Sequence, residues 1–205
     1  MGAVRVRAVQ IVIATLMLAF ASVAASEDAT VEAVWKPQLV AFSYTGTTTH
    51  YSCPELASKL KRVLRTLGAH EDVIVDRSSC TEYMPTRLRV RFRSPVPATT
   101  ANIDSITSYD ATEQLAARLN KEALPSADEL PRFSATWREI SFAHVPSLRL
   151  DPSDCQFVED VRRQMLPRLS ATETSNRLFC TPGFPGISKP RLRVKVLLAN
   201  SNVDQ

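Results

Sequence analysis

Glycine is scarce in this sequence, with five residues among 205, whereas proline occurs 13 times. Enzymes that bind nucleoside triphosphates commonly cradle the phosphates in a glycine-rich loop of the form G-x-x-x-x-G-K-[ST]. No such loop occurs here. The composition therefore argues against a phosphate-cradling loop, although the hydrophobic content of 44% is that of an ordinary globular protein.

Signatures of catalytic and metal-binding sites are also missing. The cysteines form no C-x-x-C pair, the spacing used by thiol redox enzymes and by many structural zinc sites. The histidines show no H-E-x-x-H spacing, and no G-x-S-x-G motif marks a serine nucleophile. We therefore expect no cofactor, no metal and no catalytic residue, and surface or capping roles for His50, His70 and His144. Spacing also marks no acid–base pair among Asp72, Asp76, Glu139, Asp154, Glu159 and Asp160.

The first 25 residues have the features of a secretory signal peptide. Arg5 and Arg7 provide a positively charged start, and residues 8–21 form an apolar run. Small side chains then precede a predicted cleavage site between Ala25 and Ser26. We therefore expect an exported protein, periplasmic or secreted, that has no transmembrane segment after the signal is cleaved.

The alternative is that the apolar run is retained as an N-terminal membrane helix. The run is short for a bilayer span, and Glu27 and Asp28 follow it in place of a basic stop-transfer flank. Cleavage removes two cations and no anion, which lowers the formal net charge from +4 to +2. So small an excess of positive charge does not by itself imply a polyanionic partner.

Two stretches of the remaining chain share one pattern. Each contains a strand-like segment, a cysteine at the start of an amphipathic helix, a second cysteine, and a strand in which basic and apolar residues alternate. In the first stretch the helix runs from Cys53 to Gly68, and the alternating strand covers residues 87–93. In the second stretch the helix starts near Cys155, and the alternating strand covers residues 191–198.

The repeated pattern also bears on how the cysteines pair. Counted from each helix cysteine, apolar residues occur at the third, tenth, eleventh and fourteenth positions in both stretches. All four cysteines follow the predicted cleavage site, and an even number in an oxidising compartment predicts two disulfides. Four cysteines allow three pairings, of which the repeat favours Cys53–Cys80 and Cys155–Cys180. In the first copy, this bond would join the helix start to the end of the strand that returns beside it.

These signals predict an α+β fold made of two tandem strand–helix–strand–strand repeats. The helices pack on one face of an antiparallel or mixed sheet, and each repeat has one disulfide. After the signal peptide (residues 1–25), the first repeat with its leader covers residues 26–97. A connecting segment covers residues 98–136, and the second repeat covers residues 137–205. The sequence leaves open whether the repeats share one sheet.

Local signals predict the shorter elements. Residues 39–44 and 137–142 form the first strand of each repeat, and residues 73–75 form a short strand in the first repeat. Pro95 and Pro97 are expected to end the alternating strand before them.

One short helix is predicted in the connecting segment. Asp110 and Glu113 form a capping box at its start. Mobile segments around residues 98–100 and 125–126 flank this helix. Its modest apolar stripe consists of Leu115, Ala116, Leu119 and Ala123.

The first copy also carries motifs that point to a known group of proteins. A Tyr-Ser-Cys motif ends at Cys53, and a Leu-Gly-Ala motif is centred on Gly68. Together with the second cysteine, the basic–apolar strand and the repeat of this plan, these motifs resemble exported proteins of unknown function from Gram-negative bacteria. The resemblance covers most of the chain after the signal peptide. It implies no known activity, ligand or catalytic residue.

The alternating strands carry the one surface feature that suggests a partner. Their basic side chains would point away from the helices, and we call these seven residues the basic strip. In an exported protein the basic strip could bind lipopolysaccharide, another anionic polymer of the cell envelope, or an acidic protein. The alternative is a solvated outer face, because antiparallel sheets commonly meet water on one side. The basic strip consists of Arg87, Arg89, Arg91, Arg93, Arg191, Arg193 and Lys195.

These observations favour a non-enzymatic binding or structural module of the cell envelope. Nucleic acid is not an expected partner, since the compartment and the aromatic content of 7% argue against it. The alternative function is a hydrolase with a site in the cleft between the repeats. A deep pocket that holds His50 or His144 beside a carboxylate would favour the hydrolase.

Overall fold

The computed structural model describes residues 30–81, 85–184 and 186–200. The predicted signal peptide and its cleavage site lie outside the described residues. Within the described ranges, no helix is long and apolar enough to cross a membrane. The strands are β1 (Thr30–Tyr44), β2 (Ile74–Asp76), β3 (Thr86–Pro97), β4 (Arg132–Ser141), β5 (Ala171–Arg177) and β6 (Arg191–Ala199). The α-helices are α1 (Cys53–Thr66), α2 (Thr100–Thr107), α3 (Ala111–Asn120) and α4 (Cys155–Gln164).

The six strands form one antiparallel sheet in the order β2-β3-β1-β4-β6-β5. At its centre β1 pairs with β4, which joins residues 30–34 to residues 132–136. Beyond this segment β1 continues along β3, and β4 continues along β6. The first half of the chain (residues 30–97) and the second half (residues 132–200) therefore share a single sheet. The predicted α+β class with an antiparallel sheet is confirmed.

Helices α1 and α4 pack against the same face of this sheet, which we call the inner face. Alternate strand residues such as Leu88, Val90 and Val194 point to this face and are buried there. Phe157 of α4 lies against Phe42 of β1, with the ring centroids 6.2 Å apart. The core is therefore continuous between the two halves. The helices contribute Leu56, Leu60, Val63, Leu64, Val158 and Val161 to it.

A smaller apolar cluster lies on the opposite face, the outer face, where β1 meets β4. The ring of Trp35 stacks on Phe133 with the centroids 4.5 Å apart, and Trp137 packs against the same cluster. The outer face is therefore apolar at its centre. The buried members of this central cluster are Ala33, Phe133, Ala135 and Leu197.

Both predicted disulfides are present, Cys53–Cys80 and Cys155–Cys180. Cys53 and Cys155 are the first residues of α1 and α4, and their partners follow β2 and β5. Each bond therefore ties a helix start to the end of the next strand. Closing a loop of this length stabilises a fold by roughly 3–4 kcal/mol on the chain-entropy account. Since all four sulfurs are in disulfides, none is a thiolate that could bind zinc.

Strand β3 runs through Pro95 and ends at Pro97, so the prediction that the strand stops before these prolines is wrong for Pro95. One margin of β3 faces β1, and the other faces away from it. The backbone of Arg93 points to the margin that faces away, where its carbonyl accepts a hydrogen bond from the amide of His70 (2.9 Å). Because the backbone groups of alternate residues point to the same side of a strand, the nitrogens of both prolines face this margin too. Their missing N–H groups therefore remove no hydrogen bond between β3 and β1.

Strands β1 and β4 begin earlier than predicted, at Thr30 and Arg132. Pro37 looks like a break in the sequence, yet it lies inside β1. On the side of β1 that faces β3, the carbonyl of Glu32 accepts a hydrogen bond from the amide of Ala98 (2.9 Å). Backbone groups alternate sides along a strand, so the even-numbered residues of β1 direct theirs toward β3, as Glu32 does. The odd-numbered residues, Pro37 among them, direct their nitrogens to the opposite side. At the level of Pro37, β4 no longer pairs with that side, so the proline costs no ladder hydrogen bond.

The sequence predicts neither helix α2 nor the residues of β5, although the predicted repeat order implies a strand between α4 and β6. Helix α2 begins in a segment predicted to be mobile, and the Thr99 side chain accepts a hydrogen bond from the Asn102 amide at its start. Strand β5 has the polar sequence ATETSNR, which lacks an apolar alternation. Helix α3 has the predicted capping box, but its stripe is not packed in the core. Leu115 and Leu119 are 58% and 75% exposed.

Replacing Gly68 with alanine should destabilise the fold by about 2–3 kcal/mol. Gly68 follows α1 with φ of +93°, and a Cβ there would lie 2.5 Å from the carbonyl oxygen of Leu197 in β6. The matched control is Gly183→Ala, where φ is +80° and no described atom lies within 4 Å of the added Cβ. The control should cost about 1 kcal/mol. Urea unfolding measures both losses, and equal values would contradict the importance of the contact with β6.

Candidate functional site

The seven residues of the basic strip lie on the outer face, but they form two separate groups. Strands β1 and β4 lie between the groups. Arg91 lies opposite Leu39 of β1, beyond Val34, the last β1 residue that pairs with β4. Arg193 lies opposite Ser141 of β4, beyond Thr136, the last β4 residue that pairs with β1. The two groups therefore extend in opposite directions from the central pairing, where the central apolar cluster lies. The β3 group comprises Arg87, Arg89, Arg91 and Arg93, and the β6 group comprises Arg191, Arg193 and Lys195.

The β3 group has acidic neighbours. Asp72 forms an ion pair with Arg93 (N to O, 2.8 Å) and contacts the ring of His70 at 2.8 Å. Burial opposes the ionisation of Asp72, but the hydrogen bonds from Arg93 and His70 outweigh it and lower the pKa of this carboxyl. Asp76 lies opposite Arg89 in the sheet. The positive charge of the β3 group is therefore partly neutralised.

A pocket of about 400 Å³ adjoins the β3 group. Leu39 and Ile74 are both cross-strand partners of Arg91, so these three side chains share the outer face. Glu113 of α3 and Asp72 also line the pocket. The prediction that the helices pack on one face therefore holds for α1 and α4, whereas α3 brings Glu113 to the outer face. This pocket combines apolar surface with charges of both signs.

A second pocket, of about 490 Å³, lies at the β6 group, and we call it the β6 pocket. Ser141 of β4, Arg193 of β6 and Ser175 of β5 form one row of cross-strand partners in it. The next row pairs Arg191 of β6 with Arg177 of β5. The turn after β4 and the loop before β6 supply the other residues. The full lining is Ser141, Ala143, His144, Ser175, Arg177, Ser188, Lys189, Arg191 and Arg193.

The β6 pocket is lined by four cations and, among the described residues, by no carboxylate. Arg193 forms a long ion pair with Glu139, at 3.6 Å from N to O. Within the described ranges, Arg177, Lys189 and Arg191 form no ion pair. Arg177 and Arg191 lie directly opposite each other, and like charges in this position destabilise an antiparallel pair. The β6 pocket thus carries an excess of positive charge that favours an anion.

The sequence identifies two of the four cations in the β6 pocket, Arg191 and Arg193. It misses Arg177 because β5 has no pattern that marks it as a strand. It misses Lys189 because this residue precedes the alternating strand. The one available signal for Lys189 is its closeness in sequence to β6, since a residue just before a strand stays near the strand's first side chains.

The β6 pocket also holds a serine–histidine contact. The Ser141 hydroxyl lies 2.9 Å from Nδ1 of His144. The contact arises within a tight turn, because the amide of His144 donates to the carbonyl of Ser141 (3.0 Å). A serine nucleophile needs a histidine that is itself oriented by a third group, commonly a carboxylate. No carboxylate of the described residues lines this pocket, so the contact is sufficiently explained as a turn-stabilising hydrogen bond.

A buried polar cluster joins the two halves away from both pockets. Asp154, which precedes α4 and is 1% exposed, accepts hydrogen bonds from Lys59 (2.6 Å) and from Tyr51. Burial, and then the hydrogen bond to Asp154, raises the pKa of the Tyr51 phenol. Asp160 accepts a hydrogen bond from the amide of Thr45 (2.9 Å). Both carboxylates are therefore engaged in contacts between the halves, and neither lines the pockets described above.

No protein-family model, curated protein or solved structure matches this chain. The resemblance to exported Gram-negative proteins therefore stays an expectation from the sequence.

Replacing Asp154 with alanine should destabilise the fold by about 3–5 kcal/mol, because it leaves Lys59 and Tyr51 without their buried partner. Adding Lys59→Met removes the stranded charge, so the double variant should lose less than the sum of the single losses. Urea unfolding of the three variants measures this coupling. Glu159→Gln on α4 is the control and should change stability by less than about 0.5 kcal/mol. Additive losses would show that the pair does not couple the halves.

Proposed function

We propose that the protein is an exported, non-enzymatic binding module of the cell envelope. Its ligands are anionic envelope polymers or acidic proteins, and the outer face binds them. The observation that carries this proposal is the excess of positive charge on that face. Of the seven cations of the basic strip, only Arg93 and Arg193 form ion pairs within the described residues. Five exposed cations on one face attract polyanions even when the net charge of the chain is small.

The arrangement of the cations favours an extended ligand over a compact one. The β3 and β6 groups flank the central apolar cluster, in which the two tryptophans are partly buried. A flexible polymer with several negative charges can reach both groups, whereas a small ion can occupy one group at a time. Such binding should weaken with salt, because exposed charges are screened over about 10 Å at an ionic strength of 0.1 M.

We infer that the two halves are tandem copies of one unit. Both halves have the element order strand–helix–strand–strand, and β2-β3-β1 in the sheet corresponds to β5-β6-β4. Each disulfide starts at the first residue of the helix and ends after the next strand. The copies differ in their acids, since Asp72 and Asp76 adjoin the β3 group and Glu139 adjoins the β6 group. Duplication therefore supplies two cationic strands that have diverged in charge.

A hydrolase is the second candidate function. The contact between the Ser141 hydroxyl and His144 at the edge of a pocket favours it. The β6 pocket lies within the second half, whereas the sequence suggests a hydrolase site between the halves. Because the lining offers no carboxylate to orient the histidine, the binding module is the better-supported function.

Export to the periplasm or beyond the cell is part of the proposal. The charged start, the apolar run and the small residues before Ser26 support it, as do two disulfides, which persist in oxidising compartments. We expect intact mass spectrometry of the native protein to give a chain that begins at Ser26 and has no free thiol. A chain that retains residues 1–25 and fractionates with membranes would instead support the membrane-helix alternative.

Replacing four cations of the outer face with glutamine should abolish salt-sensitive binding to envelope polyanions. The variant combines Arg89, Arg91, Arg193 and Lys195, and co-sedimentation with phosphatidylcholine vesicles, with and without lipopolysaccharide, measures binding. We expect the loss at low salt, where the wild-type protein binds. Unchanged binding would remove the basic strip from the mechanism. The control variant replaces four cations that lie outside the strands with glutamine: Lys61, Arg62, Arg149 and Arg168.

A further inference from the structure

We propose that the β6 pocket is a discrete site for a compact oxyanion of the phosphate and sulfate class. The oxyanion is either a free ion or the end group of a larger ligand. This inference deepens the proposed function, because it identifies the chemical group that one half of the outer face would recognise. It is carried by the position of the cations in the sheet and by the absence of described carboxylates from the lining.

The register of the sheet brings the cations together. Arg177 and Arg191 are direct cross-strand partners, so their Cβ atoms lie about 5 Å apart. Arg193 is two residues further along the same strand and on the same face, about 7 Å away. Lys189 reaches the pocket from the loop before β6. One oxyanion placed above Arg191 is therefore within reach of several cationic side chains at once.

The chemistry of these side chains suits an oxyanion. A guanidinium presents its N–H groups in a planar fork that binds phosphate or sulfate oxygens in pairs, and such charge-assisted hydrogen bonds are among the strongest in proteins. Ser175 and Ser188 add hydroxyl donors to the lining. The pocket volume of about 490 Å³ also leaves room for the rest of a phosphorylated or sulfated ligand.

Without a ligand, the pair of arginines is unfavourable. Like charges in direct cross-strand contact repel, and neither Arg177 nor Arg191 has an ion-pair partner among the described residues. A bound oxyanion converts this repulsion into two attractive contacts. The unfavourable pairing of Arg177 with Arg191 is therefore explained if both residues bind an anion. If Arg177 and Arg191 only supported the fold, we would not expect their replacement to stabilise the protein.

The corresponding surface in the first half lacks this property. Its pocket is lined by Arg91 and Arg93 but also by Asp72 and Glu113. An oxyanion there would meet two carboxylates, and Asp72 already pairs with Arg93 at 2.8 Å. The proposed oxyanion site is therefore confined to the second half, whose pocket is lined by three arginines and a lysine and by no carboxylate of the described residues.

The test uses the full exported chain and inorganic phosphate as the probe, with calorimetric titration at constant ionic strength. The pocket variant is Arg177→Gln with Arg191→Gln, and the matched control, which lies outside the strands and the basic strip, is Lys61→Gln with Arg168→Gln. We expect the wild-type protein and the control to bind phosphate with the same affinity. We expect the pocket variant to bind at least about ten-fold more weakly, because it loses two charge-assisted contacts.

A stability measurement provides an independent readout. Without phosphate, the urea midpoint of the pocket variant should equal or exceed that of the wild-type protein, because the repulsion between the two arginines is gone. Phosphate should raise the midpoint of the wild-type protein and leave that of the pocket variant unchanged. A lower midpoint for the pocket variant without phosphate would indicate that the arginines support the fold, and would overturn the inference.

Further binding measurements distinguish a free oxyanion from the end group of a larger ligand. They also distinguish failure of the β6 pocket as a site from failure of the proposed function. Tighter binding of glycerol 3-phosphate than of phosphate would identify an end group as the ligand, whereas equal binding would identify the free ion. Phosphate binding that is unchanged in the pocket variant, or weakened equally in the control, overturns the inference. Phosphate binding by a protein that does not bind lipopolysaccharide vesicles supports the site and rejects the polymer ligand.

Discussion

The backbone pairing between the first residues of β1 and β4 is the contact on which the rest of the structure depends. Residues 30–34 and 132–136 join two three-stranded arms into one sheet. A three-stranded sheet with one helix buries little apolar surface, and small domains of this kind are marginally stable. The central pairing lets α1 and α4 share one core, in which Phe157 of the second half meets Phe42 of the first. The ion pair between Asp154 and Lys59 adds a polar contact between the same halves.

A shared inner face determines what the outer face can be. Because side chains alternate along a strand, burying Leu88 and Val90 turns Arg87, Arg89 and Arg91 outward, and burying Leu192 and Val194 does the same for Arg191 and Arg193. The outer face is thus positively charged for two reasons. Every second residue of β3 and β6 is buried in the core, and most of the residues between them are arginines. Neighbouring strands then decide whether this charge is compensated. β2 brings Asp76 beside Arg89, whereas β5 brings Arg177 beside Arg191.

Much of the fold could be predicted from local signals, and the failures have physical causes. Cys53 and Gly68 bound α1 as the sequence indicates, and both disulfides follow from the repeated spacing. Pro95 lies within β3 although it was predicted to end the strand, because a proline is compatible with a strand whose N–H side is unpaired, and only the sheet reveals that side. The β6 pocket itself was not predicted, but two of its four cations were placed on the outer face from the sequence. Arg191 and Arg193 belong to a visible pattern, but the position of Arg177 depends on the pairing of β5, a polar strand without a sequence signature.

The edges of the sheet restrict how a partner can bind. Some domains capture extended peptides by adding a strand to an open edge, and the same open edges template aggregation. Here β2 is three residues long, and the margin of β3 beyond it carries the nitrogens of Pro95 and Pro97, which cannot donate hydrogen bonds. At the other edge, the pairing of β5 is interrupted between Glu173 and Ser175. Neither outer edge offers a long regular ladder for a guest strand. On the margin of β1 that β4 leaves unpaired, Pro37 has no N–H, and the Gln164 side chain bonds both backbone groups of Ser43. Backbone-mediated recruitment is therefore disfavoured. Recognition is left to side chains projecting from the face.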